Sequence, residues 1–241
     1  IKGNTALIWV ETPSNPQLRI TDLSMVARVC SDAGVAWAAD GTWTTPLIQR
    51  PLEHGARYVV HSITKYLSGH SDVLGGVVIS DSDAAAGAIR SYQANVGGVL
   101  DPFSCWLTLR GLRTLSVRLN RQCENAAAVA SFLSGRQEVT AVLHPSIVTH
   151  PGHEVARDQM KLYGAMLSFL VDGDAERAKE VVSATQVLRR ATSLGGTESL
   201  IEHRRSIEGA DSTTPPNLIR MSIGLESSAT LLADLERALE S

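Results

Sequence analysis

The segment from residue 5 to residue 40 constrains this chain more than any other, because two strand-sized apolar runs bracket one amphipathic helix there. Residues 5–10 (Thr-Ala-Leu-Ile-Trp-Val) read as a buried strand. Residues 11–16 follow as a turn in which Pro13 and Pro16 stop regular structure. Thr21 is placed to N-cap a helix whose apolar residues Leu23, Val26, Ala27 and Cys30 recur at the spacing of one helix face. Gly34 closes that helix, and residues 35–39 form a second strand that stops at Asp40. Strand, helix, strand is a βαβ unit, which pairs its strands in parallel through a right-handed crossover.

The alternation continues. Residues 51–54 predict a short helix closed by Gly55, residues 57–61 a third strand and residues 73–79 a fourth. Residues 82–94 predict a helix. The expected class is therefore α/β, with a sheet covered on both faces. The texture changes at Pro102, which fits a helix N-terminus. The apolar pattern then runs to Leu133, with Gly111 the expected site of a bend or break. Beyond it the pattern predicts strands near 139–143, 165–171, 187–191 and 218–223. Helices are expected near 153–161, 174–184 and 197–203, and a last one after Ser227 buries Leu231, Leu232, Leu235 and Leu239. We place the domain boundary at residue 112, giving an α/β module over 1–112 and an α+β module over 113–241.

Composition removes whole classes of function. At 241 residues, 44% hydrophobic and 20% charged, the chain sits near globular averages and is no disordered spacer. A net charge of -3 without basic runs argues against a nucleic-acid partner. No apolar stretch approaches the ~18 residues that span a bilayer. Three separated cysteines (Cys30, Cys105, Cys123) suggest neither a disulfide framework nor a metal site. They point to a reducing compartment, the cytoplasm. The chain starts on Ile1 with no visible signal peptide, which suggests a fragment or a trimmed chain.

In an open α/β sheet, ligands bind beyond the carboxyl ends of the strands. Glu11 and Asn15 follow the first strand, Asp40 the second, and Ser62, Thr64 and Lys65 the third. A carboxylate at a buried strand end needs a cationic or hydrogen-bonding partner, and a pyridinium N–H would serve. Two hydroxyls beside a lysine can hold a phosphate, and the lysine can form a Schiff base. Together these are the requirements of pyridoxal phosphate. The residues alone leave a second reading open: a solvated loop lysine, a turn aspartate and ordinary strand-end hydroxyls.

Longer motifs bear on that choice. They are Glu11-Thr-Pro-Ser-Asn-Pro16, Asp40, Pro51-Leu-Glu-His-Gly55 and His61-Ser-Ile-Thr-Lys-Tyr-Leu-Ser-Gly-His-Ser-Asp72. Downstream come Arg110-Gly-Leu-Arg-Thr-Leu115, Ser193-Leu-Gly-Gly-Thr-Glu-Ser-Leu200 and Leu218-Ile-Arg-Met-Ser-Ile-Gly224. In order and along essentially the whole chain, this set resembles the trans-sulfuration, or Cys/Met metabolism, family of pyridoxal-phosphate enzymes.

The resemblance implies a fold of the aspartate-aminotransferase type (fold type I), with a partial cofactor domain and an α+β C-terminal domain. It implies pyridoxal 5'-phosphate as cofactor, Lys65 as its Schiff-base partner, Asp40 as partner of the pyridine nitrogen, and Ser62 and Thr64 as phosphate ligands. Arg220 matches the clamp for the substrate α-carboxylate, and Asn15 and Ser193 match residues lining the pocket. The implied activity is elimination or replacement at Cγ of a sulfur amino acid or activated homoserine, of the cystathionine γ-synthase or γ-lyase type. The implied partners are a small amino-acid substrate and further copies of the chain in a homotetramer built from dimers.

Departures from the family pattern open alternatives. The family continues Asp-Asn-Thr where this chain has Asp40-Gly41-Thr42. Thr192 stands where some γ-acting members carry a glutamate for a distal ammonium group, which leaves a β-lyase or a homoserine sulfhydrylase open. The family's N-terminal arm and the first half of its cofactor domain have no counterpart here. With them go a Gly-Met phosphate loop, a ring-stacking tyrosine, and a tyrosine and arginine that reach a neighbouring subunit's phosphate. A truncated relative that does no chemistry is the non-enzymatic alternative. His150-Pro-Gly-His153 lacks further metal ligands and reads as a solvated turn. Gly69-His-Ser-Asp72 has triad residue types, but sequence neighbours cannot adopt triad geometry. The glycine doublets carry no dinucleotide fingerprint, and Gly195-Gly196 is expected to permit close backbone approach. Cys30 is expected in the core.

Overall fold

The computed structural model describes residues 1–209 and 211–241. Its first half is a four-stranded sheet in the order β1 (Leu7–Glu11), β2 (Ala36–Asp40), β3 (Tyr58–Ser62), β4 (Gly76–Ser80). Helix α1 (Leu23–Asp32) is the crossover between β1 and β2, which are parallel in the register Leu7↔Ala36 to Glu11↔Asp40. Its cap is Asp22, not the expected Thr21: Asp22 Oδ1 accepts from Met25 N–H at 3.0 Å. Thr21 instead donates its N–H to Thr12 Oγ1, tying the helix entry to the proline turn. Gly34, at φ +64°, takes the left-handed position just past the helix. β2 and β3 are parallel, joined by a short helix α2 (Thr45–Ile48) and a 3₁₀ turn over Pro51–His54 that Gly55 closes at φ +89°.

β4 departs from the parallel pattern. It runs antiparallel to β3, because a tight turn over Ile63–Leu67 and a short return replace a crossover helix. The expected cover on both faces is also incomplete. Leu7 and Trp9, two apart on β1, are exposed, as are Val78 and Ile79 on β4. Helix α3 (Asp83–Val96) buries no residue.

The apolar run from Pro102 divides into α4 (Pro102–Leu112), capped by Asp101, and α5 (Leu115–Ser134). The break falls at Arg113–Thr114, just beyond Gly111. That glycine admits the Ser68 carbonyl, which would lie 2.2 Å from a Cβ there. The rest of the chain supplies β5 (Val139–Leu143), α6 (His153–Gln159), β6 (Met166–Val171), α7 (Ala175–Ala184) and β7 (Arg189–Arg190). After them come β8 (Leu200–His203), α8 (Arg204–Glu208), β9 (Leu218–Ser222) and α9 (Ser228–Glu240). The second sheet has the order β5-β6-β9-β8-β7.

Two expectations fail in this half. Residues 200–203 are strand, not helix, because they pair antiparallel with β9 in the register Leu200↔Ser222 to His203↔Ile219. The helix begins only at Arg204. His150 is likewise not solvated: it is buried, and its Nδ1 accepts from Gly152 N–H at 3.0 Å, while His153 stacks on Tyr163. Cys30 is buried as expected, in a small core with Val10, Leu23, Trp37 and Val59. The larger core continues from the turn after β3 (Ile63, Tyr66, Leu67) into α5 and the second sheet (Leu119, Phe169, Ile219). The chemistry-bearing turn is thus anchored in the larger of the two cores. Among the described residues, no helix is long and apolar enough to cross a membrane.

Candidate active site

Lys65 sits in the turn that ends β3. Ser62 is still extended, then Ile63, Tyr66 and Leu67 turn inward and are buried, leaving Lys65 half-buried at a cavity. The turn is closed by Ser68 N–H to Ile63 O at 3.1 Å and Gly69 N–H to Lys65 O at 2.8 Å. Two further contacts fix it. Arg118, buried on α5, donates from both Nη atoms to Tyr66 O at 3.1 Å and from Nη2 to Gly111 O at 3.0 Å. Gly195, at φ +78°, lies against the Lys65–Tyr66 peptide, where a Cβ would stand 2.7 Å from Tyr66 N. Lys65 Nζ donates to Ser193 Oγ at 2.8 Å. Burial, and then the Arg220 cation, push its pKa below the ordinary lysine value. Ser193 holds φ +87°, a strained conformation for a residue with a Cβ.

Two carboxylates stand side by side where β1 and β2 end, since Glu11 and Asp40 are register partners. Asp40 Oδ1 accepts from Thr42 N–H at 2.9 Å, and Thr42 Oγ1 accepts from Ser62 N–H at 2.9 Å. The ends of β2 and β3 are thereby bridged. Burial, and then the Asp40 charge, push the Glu11 carboxyl up. Arg220, in the middle of β9, reaches across from the second sheet. Its Nη1 donates to Asn15 Oδ1 at 2.8 Å and its Nη2 to Ser193 O at 3.4 Å. The proline turn carrying Asn15 is itself tied to this sheet by Ser168 Oγ donating to Pro16 O at 2.7 Å.

These side chains enclose a cavity of about 310 Å³ lined by Glu11, Asn15, Asp40, Ser62, Lys65, Ser193 and Arg220, with Trp43 and Arg204 beside them. Of the seven residues given a site role by the resemblance, six line it. Thr64 does not: its hydroxyl accepts from Gly75 N–H at 3.0 Å and pins the return strand. Arg204 and Trp43 were not anticipated; Arg204 lies just past the strand that the sequence pattern presents as a helix. The donor set fits pyridoxal phosphate. It offers an amine with a depressed pKa, an anion at a strand end for a pyridine nitrogen, a hydroxyl at the turn and a buried guanidinium for a carboxylate. Among the described residues, no group of three or more His, Cys, Asp or Glu is placed to hold a metal ion.

The family model described as "Cys/Met metabolism PLP-dependent enzyme" matches residues 1–240. The chain belongs to this family. Its architecture is therefore the fold type I, aspartate-aminotransferase-like arrangement of mixed α/β domains. Among the Cys/Met metabolism enzymes it is 43% identical to cystathionine gamma-synthase of Mycobacterium tuberculosis, over 99% of this chain and 63% of the relative. It is 41% identical to cystathionine beta-lyase of Coxiella burnetii, over 99% of this chain and 64% of that protein. It superimposes with a TM-score of 0.94 on cystathionine gamma synthase of Xanthomonas oryzae pv. oryzae in complex with aminoacrylate and cysteine. That match has 42% identity and covers 97% of this chain and 62% of the other. The chain thus spans under two thirds of the length of these family members.

Proposed function

We propose that the protein containing this chain carries out pyridoxal-phosphate-dependent elimination or replacement at Cγ of a sulfur amino acid or activated homoserine. The observation that carries this reading is the convergence of the Lys65 amine, Asp40 and Arg220 on one cavity, with Lys65 Nζ 2.8 Å from Ser193 Oγ. When bound, the cofactor supplies an electron sink for charge developing at the substrate Cα. Lys65 would hold the cofactor covalently, and its amine would move protons at the substrate Cα and Cβ. Its depressed pKa favours the free amine that this work requires. Asp40 would face the pyridine nitrogen and favour its protonated form, and Ser62 would hydrogen-bond the phosphate. Arg220 clamps the substrate α-carboxylate, with Asn15 and Ser193 steadying it, and so orients the bond to be broken.

Elimination at Cβ is the second reading. Thr192 is uncharged, exposed and outside the cavity, so it offers no anion to a distal ammonium group. We further propose that residues 1–112 are the C-terminal half of the cofactor domain, that 113–241 are the C-terminal domain, and that the protein is cytoplasmic. Assembly as a homo-oligomer is supported by apolar side chains left in solvent, among them Trp9, Phe103, Trp106 and Leu109. The direct test is Lys65→Ala in the full chain. It should abolish both turnover and the visible absorbance of the covalently held cofactor. A variant that kept both would overturn the assignment.

A further inference from the structure

Arg220 is held by more than the proline turn. In the second sheet it is the middle of a cross-strand row, facing Ser168 on β6 and Glu202 on β8. Glu202 Oε1 accepts from Arg220 Nη2 at 2.7 Å, and both side chains are nearly inaccessible, at 6% and 4% exposure. The same oxygen accepts from Arg204 Nη1 at 3.1 Å. Arg204 donates its Nε to Glu208 Oε1 at 2.8 Å, and Glu208 is steadied in turn by Ser212 and Thr214. One buried carboxylate thus stands between two guanidiniums at the rim of the cavity.

We infer that Glu202 is the positioning residue of the α-carboxylate clamp, an inference that rests on the reading of Arg220 as that clamp. A guanidinium has five N–H donors in a rigid plane. Asn15 takes one from Nη1, and Glu202 and Ser193 take the two on Nη2. The two that remain, on Nη1 and Nε, are the donors left for a carboxylate, in an orientation set by Glu202. Glu202 also separates Arg220 from Arg204; without its charge the two like-charged groups repel across the cavity rim. Glu202 touches neither substrate nor cofactor in this scheme. It acts through Arg220, so its main effect falls on binding of the α-carboxylate and a smaller one on the bond that Arg220 orients.

The test uses the full chain loaded with pyridoxal phosphate. Glu202→Ala should raise KM for the amino-acid substrate by about tenfold or more while kcat changes by less than about threefold. The affinity for glycine, which carries the α-carboxylate but no side chain to eliminate, should fall by the same factor in a calorimetric titration. Glu202→Gln keeps the accepting oxygen but loses the charge that separates Arg220 from Arg204, so it should recover only part of both losses. Glu202→Asp keeps the charge but draws the oxygen back by one methylene, so it should stay impaired; it decides the matter if Glu202→Ala does not fold. Arg220→Lys is the control. If it weakens glycine binding while Glu202→Ala and Glu202→Asp bind glycine within about twofold of the unaltered protein, the inference is overturned. If Arg220→Lys also binds normally, the clamp reading itself fails.

Discussion

Substituting Gly195 by alanine separates the two demands that the active-site turn places on the chain. At φ +78° an alanine pays the left-handed backbone penalty, about 1–2 kcal/mol. Its Cβ would also lie 2.7 Å from Tyr66 N and 3.1 Å from the Lys65 carbonyl carbon. Both of those are backbone atoms, in a turn already held by Arg118, so relief requires the turn itself to move. Overpacking of this kind adds about 1–3 kcal/mol. We therefore predict a total loss near 2–5 kcal/mol for Gly195→Ala. Gly34→Ala is the internal standard, since Gly34 has φ +64° and nothing within 4 Å of its would-be Cβ. Only the backbone penalty applies there, and the unfolded-state effect of adding a methyl group is common to both variants. Urea unfolding of the full chain should show Gly195→Ala less stable than Gly34→Ala by about 1–3 kcal/mol. The visible absorbance of the bound cofactor should shift in the Gly195 variant alone, because the displaced atoms carry Lys65. Equal stabilities with an unchanged cofactor spectrum in both would refute the reasoning.

Two further outcomes follow from titrating groups. Burial and the Arg220 cation lower the Lys65 pKa, so covalent attachment of pyridoxal phosphate should speed up with pH about a midpoint below that of ordinary lysine; Arg220→Gln removes one cause and should move that midpoint upward, and a midpoint that stays or falls contradicts the assignment. His144, fully buried between Ser146 and Gly164, is pushed down to about 4 from 6.5 by burial. The unfolded chain therefore takes up this proton first, so the stabilisation is complete above pH 6.5 and is lost as pH falls through 4, roughly 3 kcal/mol in all. Stability measured from pH 7 to 4 should flatten in His144→Asn, and an unaltered slope would exclude His144 as the source.

How much of this site could be read from the residues depends on the kind of contact involved. Asp40 and Ser62 end β2 and β3, Lys65 lies in the turn just after β3, and strands are short apolar runs whose ends are visible in sequence. In a parallel unit those ends converge by topology alone. Thr64 belongs to the same short motif, yet it does not line the cavity, because its hydroxyl closes on Gly75, a contact invisible in sequence. Glu202 was hidden for a different reason. Its importance depends on pairing with Arg220 across β8 and β9, and a helical reading of 197–203 turns that face away.

By itself the sequence determined the βαβ opening, the order of nearly all the helices and strands, the place of Lys65 at a strand end and the family. All of these are local, or carried by contiguous motifs. Tertiary structure alone decided the antiparallel sense of β4, the strand at 200–203 and the Arg118 clasp on the lysine turn. It also decided the sharing of one buried carboxylate by Arg220 and Arg204. Each of these depends on which segments pair or pack against one another in the folded chain. Register is set by which faces can be buried together, a property of the packed whole rather than of any one segment.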